Sequence, residues 1–400
     1  MAHPIIAEFP RRIVNYARWS RARISTRGRL SADASTVTLP FNLKPIATAY
    51  VYNAYSLGIL TAHEPPHRFH AACLQLYFPK AKLTNSPTAK FECFPPLGVW
   101  QYVQLGHLGA TVWNSRTPES LTAQQLVGRL LAALAQKRYL YVFCDEFFLP
   151  GSLPYLRYNH RHERLIYGYD APSDSFLMAG YRRTGEYGST FVPAALTASA
   201  ILSADGRKRG SYNDSDTVVE LAAIMPQMPE PEPTTFAHRC LAYLSGADSE
   251  AAAIRQLVKP ASENYSKNLE GRDWSDGGFG IKAYPLLRRY FEEAGERGHE
   301  LDVRLTRVLW EHKLLVREIA GDLDRRYGLG LSAVVGAECE ALVSAARKLH
   351  HLTFAAAHAR TPQAIDVPAV LKLLEALEAG DRSVFQGIVR SAERFRGGKR

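Results

Sequence analysis

The pattern of apolar and polar positions changes midway along the chain. Up to about residue 205 the apolar residues come in short runs rich in aromatic and β-branched side chains. From about 234 they fall into long stretches with helical spacing. Between the two lies PQMPEPEP (226–233), whose prolines neither a helix nor a central strand can absorb, so 206–233 reads as a linker.

In the first half, TAYVYNAYSLGILTA (48–62) predicts a buried helix bounded by Pro45 and by Pro65 and Pro66, and Ala71–Phe78 predicts a strand. Thr117-Pro118-Glu119 offers an N-cap, a proline tolerated at a helix start and an acid in the first turn. The helix that follows, 120–136, puts Leu126, Leu130, Leu131 and Leu134 on one face and ends at Lys137 and Arg138. YLYVFCD (139–145) is nearly all apolar and predicts a buried strand. A loop rich in proline and tyrosine then leads to RLIYGYD (164–170), a turn at 171–174, and SFLMAGY (175–181), which together make a hairpin. The second half predicts helices over about 235–258, 279–294, 301–326, 331–360 and 366–395, a helical bundle without a repeat period.

No apolar run approaches 18 residues, which excludes a membrane-spanning helix, and the N-terminus lacks the apolar core of a secretory leader, so a cytoplasmic location is expected. The five cysteines (73, 93, 144, 240, 339) are scattered and odd in number, which fits reduced thiols better than a disulfide framework or a thiolate zinc site. The net charge of +10 resides at the ends: residues 11–29 carry seven arginines and no acid, and 394–400 carry four more cations, so subtracting these eleven leaves about −1 for the rest. The basic arm, residues 1–35, suits an acidic protein partner. It carries no helix-turn-helix, zinc-finger or RNA-recognition signature, which disfavours nucleic acid.

Chemistry concentrates at 139–181. A buried strand delivers Asp145 and Glu146 at its end, and the following loop brings His160 and His162 to the start of the next strand. Rigid backbone on one side and open loop on the other is a setting that suits a general base. The alternative is a surface histidine in a polar loop. Elsewhere, the histidines of HRFHAAC (67–73) and LHHLTFAAAH (349–358) lack the acids and spacing of a metal site. Glu311-His312-Lys313 reads as a buried polar cluster tying helices together. DGGFG (276–280) reads as a turn opening a helix, lacking the lysine and hydroxyl of a phosphate-binding loop.

The stretch DEFFLPGSLPYLRYNHRHERLIYGYDAPSDSFLMAGYR (145–182) resembles the core motif of the butirosin-biosynthesis protein H N-terminal family. The likeness extends back through the helix at 120–136 and Gln75–Tyr77, and forward to FVPAAL (191–196). More loosely, GFGIKAY (278–284) and LWEHKLL (309–315) are similar to the helical region that follows this domain in members linked to nonribosomal peptide clusters. The resemblance implies an α+β, papain-like domain at 36–205, similar to bacteriocin-processing peptidases, followed by an all-α domain at 234–400.

It also implies an acyltransferase, or an enzyme forming or cleaving amide bonds, in natural-product biosynthesis. Its substrate would be an acyl or peptidyl thioester presented on the phosphopantetheine arm of an acidic carrier protein, with no other cofactor. A small molecule or peptide would accept the acyl group, and a homodimer is compatible with this picture.

His162 then matches the histidine of the motif, Asp145 is the preferred acid to orient it, and Asn53, Glu146, Tyr155, Tyr169 and Asp170 would contact substrate. Backbone N–H groups opening the 48–62 helix would form the oxyanion hole. The chain departs from the pattern at the nucleophile. Where a cysteine is expected on that helix it reads Asn53-Ala54-Tyr55-Ser56. Ala54 occupying the slot, Ser56 serving instead, or Cys73 entering from the next element are the three alternatives. The first brings in a noncatalytic scaffold that binds a carrier protein or peptide in the same cleft.

Overall fold

The computed structural model describes residues 35–64, 74–83, 91–94, 99–104, 107–114, 121–204, 217–224, 232–246, 277–297, 301–359 and 365–398. The basic arm up to residue 34, Cys73, Thr117-Pro118-Glu119 and the histidines at 67 and 70 lie outside them. The fold mixes an antiparallel sheet with helices, and the chain divides into two compact units. One comprises the residues up to Leu43 together with Ala110–Ala222; the other comprises Lys44–Gly109 with Ala223–Arg400.

The first unit is built on an antiparallel sheet. Its strands are β4 (Leu108–Asn114), β5 (Tyr139–Asp145), β6 (Arg161–Asp170), β7 (Ser175–Tyr181), β8 (Tyr187–Pro193) and β9 (Thr217–Ala223), in the order β4-β9-β5-β6-β7-β8, with a short β1 (Val37–Thr38) on β6. Strands β5 and β7 match their predicted ranges, because continuous apolar runs bounded by turns leave little choice. Strand β9 corrects the linker reading of 206–233. Val218, Val219 and Leu221 are buried, and the strand sits between β4 and β5. The run was short and lay beside the proline-rich segment, which hid it.

Helix α3 (Ala123–Ala135) packs on this sheet with Leu126, Val127, Leu130, Ala133 and Leu134 inward. Its N-cap is Thr122, whose hydroxyl accepts from Gln125 N while the Gln125 side chain accepts from Thr122 N, closing a capping box. Helix α4 (Ala194–Ser203) packs against α3 and the sheet, with Thr197 reaching Met178 on β7.

The second unit holds helices α1 (Val51–His63), α2 (Val99–Gln104), α5 (Pro233–Ser245), α6 (Ala283–Arg297), α7 (Arg304–Tyr327), α8 (Leu331–His358) and α9 (Val367–Gly398). A three-stranded sheet joins them, with β2 (Gln75–Pro79) between β3 (Glu92–Phe94) and β10 (Gly277–Phe279). Its core runs from Ala49, Tyr50, Leu74, Leu76, Phe78 and Phe91 to the apolar faces of α5 through α9. Residues 44–109 therefore group with the helices, and the division of the chain differs from the expected boundary at 206–233. The segment DGGFG supplies β10 and a 3₁₀ turn.

Glu311-His312-Lys313 forms the buried tie the sequence suggested. Lys313 Nζ donates to both oxygens of Asp381 on α9 (2.7 and 2.5 Å), and both side chains are fully buried. The hydroxyls of Tyr243 and Tyr284 donate to Asp381 at 2.6 Å, and His312 bonds the Leu74 carbonyl at 2.8 Å. One carboxylate thus joins α5, α6, α7 and α9 with its oxygens satisfied, the condition for an ion pair in a dry core. No described helix is long and apolar enough to cross a membrane.

Candidate active site

The ends of β5 and β6 gather the charged residues. In the antiparallel register Cys144 stands opposite His162 and Asp145 opposite Arg161, so Cys144, His162 and Arg164 share one face of the sheet. His162 lies within β6 rather than at the end of a loop, because the pairing with β5 begins at Arg161.

Glu146, in the 3₁₀ turn Glu146–Phe148 that follows β5, faces the Nδ1 side of the imidazole: its Oε1 is 3.9 Å from His162 Nδ1. The same oxygen accepts from Arg164 Nη2 at 2.6 Å, and both partners of that pair are buried. Arg164 also donates to the Tyr181 carbonyl at 2.9 Å. Its guanidinium lies across Gly180, where a Cβ would come within 1.8 Å of Nη1 and 2.8 Å of Cδ. Glycine at 180 is what leaves room for a buried arginine on the sheet. Arg164 and Gly180 carried no signal in the sequence, since each acquires its meaning from strand register.

His162 keeps a third of its side chain exposed. Its Nδ1 is 3.3 Å from the Glu163 carbonyl, its Nε2 is 3.6 Å from Glu163 Oε2, and its ring stacks on His160 with centroids 5.5 Å apart. Burial against these neighbours lowers the pKa of His160, with Glu146 pulling the other way. Among the described residues neither a hydroxyl nor a thiol hydrogen-bonds to His162. Cys144, its cross-strand partner, is fully buried, and burial pushes its thiol far above the usual range, so it stays protonated and inert at neutral pH.

Asp145 does not play the orienting role expected of it. Its carboxylate accepts from Phe147 N (3.1 Å), His160 N (3.0 Å) and the Asn159 side chain, fastening the loop between the strands. Tyr155 is half-buried in that loop, with its N–H directed to the Ser152 carbonyl. Tyr169 and Asp170 lie at the opposite end of β6, seven and eight residues beyond His162, or roughly 23–26 Å along an extended strand. There the Tyr169 hydroxyl donates to Asp174 (2.9 Å), and Asp170 accepts from Ser173 N and Oγ. Both serve the β6–β7 turn, which removes them from the neighbourhood of His162.

The expected nucleophile positions belong to the second unit. Ala54 and Ser56 on α1 are both fully buried. The Ser56 hydroxyl donates back to the Tyr52 and Asn53 carbonyls (2.9 and 3.2 Å), an intrahelical bond that directs it along its own helix. Asn53 presents a buried Oδ1 with no hydrogen-bond partner among the described residues. The N–H groups leading into α1 are occupied: Thr48 N and Ala49 N donate to the Glu311 carboxylate at 2.8 and 3.0 Å, and Arg307 completes the clasp on Glu311 and Thr48. That carboxylate stands where the oxyanion hole was expected to begin. Among the described residues no group of three His, Cys, Asp or Glu side chains is arranged to hold a metal ion.

No family model and no curated protein significantly matches the chain.

Proposed function

We propose that the chain is a noncatalytic binding protein of papain-like architecture in a specialised-metabolite pathway. It holds a peptide, or a carrier protein bearing an acyl or peptidyl thioester on its phosphopantetheine arm. One observation carries this reading: the neighbours of His162 are two carboxylates, a carbonyl and a second imidazole. No thiol or hydroxyl of the described residues hydrogen-bonds to this imidazole, and the cross-strand Cys144 thiol is fully buried, so His162 has no nucleophile in hand to activate. Ala54 at the position where the resemblance expects cysteine points the same way, as does a Ser56 hydroxyl committed to its own helix. The arginine-rich arm at 11–29 supplies attraction for an acidic carrier protein in the cytoplasm.

A second reading, acyl transfer, is favoured by the Glu146 carboxylate on the Nδ1 side of the imidazole, 3.9 Å away and held there by Arg164, from where it would stabilise a protonated His162. It needs a nucleophile from outside the described residues, for which Cys73 is the candidate. Titration calorimetry with an acyl-loaded carrier protein, followed by recovery of the carrier, separates the two. The binding reading expects saturable binding and an intact thioester. Acyl release by the native chain that is lost in His162→Ala establishes catalysis, and absence of binding overturns the proposal.

A further inference from the structure

Deep in the second unit, Lys313 on α7 and Asp381 on α9 meet with both side chains fully buried, so the groups packed around them decide their chemistry. Asp381 Oδ2 accepts from the hydroxyls of Tyr243 and Tyr284, each at 2.6 Å, while Oδ1 has Lys313 Nζ as its partner among the described residues (2.7 Å). On the other side of the nitrogen, His312 Nδ1 stands 3.0 Å from Nζ. The Nε2 atom of that ring donates to the Leu74 carbonyl, which fixes the tautomer and leaves Nδ1 presenting a lone pair to the lysine. Stacking on Tyr243, with centroids 5.4 Å apart, holds the ring in place. Burial keeps the imidazole neutral and both phenols protonated at pH 7.

Amine, carboxyl group, proton acceptor and paired oxygen-directed donors are the parts an amide-forming site requires. A nitrogen 2.7 and 2.5 Å from the two oxygens of one carboxylate is about 3 Å from the carbon between them, the separation of a near-attack pair. We infer that Lys313 and Asp381 condense with each other, forming an isopeptide bond that ties α7 to α9 across 68 positions of sequence.

The Lys313 ammonium passes one proton to Oδ1, which leaves a neutral amine and a carboxylic acid. The Nζ lone pair attacks Cγ from the face of the carboxyl group, a small swing that the flexible four-carbon stem allows. As the N–C bond forms, negative charge gathers on Oδ2 between the two phenol donors. His312 Nδ1 takes a second proton from the nitrogen and returns it to Oδ1, which departs as water. Ammonium and carboxylate thus become one amide and one water, with charge balanced and no oxidant or activating group required.

Two physical effects favour the product. Holding the partners in contact is equivalent to an effective molarity of about 10⁵–10⁸ M. Replacing two buried charges by a neutral amide also removes the desolvation penalty that each ion carries in the core. Every neighbour stays satisfied, because the new carbonyl oxygen accepts from both phenols and the new N–H donates to His312 Nδ1. The pair Lys82 and Asp302 (2.8 Å) is an internal control. Among the described residues it has no imidazole at its amine and no hydroxyl at its carboxylate.

Intact-mass spectrometry of the full purified chain, with peptide sequencing of a tryptic digest, tests the inference. The expected mass is one water below that of the sequence, allowing for removal of Met1. Trypsin should fail to cut after Lys313 and should release a branched peptide joining 308–317 to 373–382. Lys313→Arg keeps a cation but offers no amine to acylate, so it is expected at its full sequence mass with both peptides linear. The native chain carries the test by itself, whether or not that variant folds. A native chain at full mass after overnight incubation overturns the inference. So does loss of water with 308–313 and 373–382 recovered as separate linear peptides, and so does a branch at Lys82 and Asp302 in place of Lys313 and Asp381.

Discussion

Replacing Gly180 by alanine tests the buried charge pair beside His162 through a residue that carries no charge itself. The new Cβ would stand 1.8 Å from Arg164 Nη1, 2.6 Å from Cζ and 2.8 Å from Cδ, distances that no small adjustment of the arginine tip relieves. Arg164 must leave, taking its bonds to Glu146 and to the Tyr181 carbonyl with it. Glu146 is then a buried carboxylate without its cation, a situation that costs about 3–5 kcal/mol when one member of a buried pair is removed. The local cost is read by native-state hydrogen exchange of the amides in β5, β6 and β7, which isolates this unit from the rest of the chain. Repeating the substitution in an Arg164→Met background closes a double-mutant cycle, in which Gly180→Ala should cost less than in the native chain because the clash is gone and only the strain of an alanine at φ +159° remains. Equal costs in the two backgrounds, or a cost below about 1 kcal/mol in the native one, would refute the account of why glycine stands at 180.

The second unit should respond to Lys313→Met, or to Asp381→Asn, with a loss of about 3–5 kcal/mol in chemical denaturation; a loss under about 1 kcal/mol would contradict the buried tie. Burial lowers the pKa of His350 to about 4 and that of His312 to about 3, so both are neutral in the folded chain at pH 7. The unfolded chain takes up those protons near 6.5, so stability falls as pH drops below about 6.5, and each loss ends once the folded imidazole itself titrates. Denaturation midpoints measured from pH 7 to 4 should show that decline, with a shallower slope in His350→Gln; a flat profile would count against neutral burial. Thr122→Ala should cost about 1 kcal/mol of α3 stability through loss of the capping box, measurable by exchange of its first-turn amides.

How much the sequence disclosed follows from how local each signal is. Strands β5 and β7, the end of α7 and the start of α8 are legible because apolar period and turn residues are written within each segment. The capping residue of α3 was misplaced by five positions, since Thr117-Pro118-Glu119 satisfies the same composition rule as Thr122 with Gln125. Strand β9 and the grouping of 44–109 with the helices depend on partners more than fifty residues away, which no window contains. The same holds at the candidate site. The place of His162 near the start of β6 is legible from the apolar run that follows it, and the buried cluster at 311–313 from its polarity within a helix. The choice of Glu146 over Asp145 is made by a 3₁₀ turn that points one carboxylate into its own loop and the other at the imidazole.

Intact-mass spectrometry of the native chain after incubation with an acyl-loaded carrier protein bears most directly on whether His162 lacks a nucleophile. The account predicts an unchanged mass. An acyl group on the native chain, whether on Ser56, Cys73 or any other side chain, would contradict it.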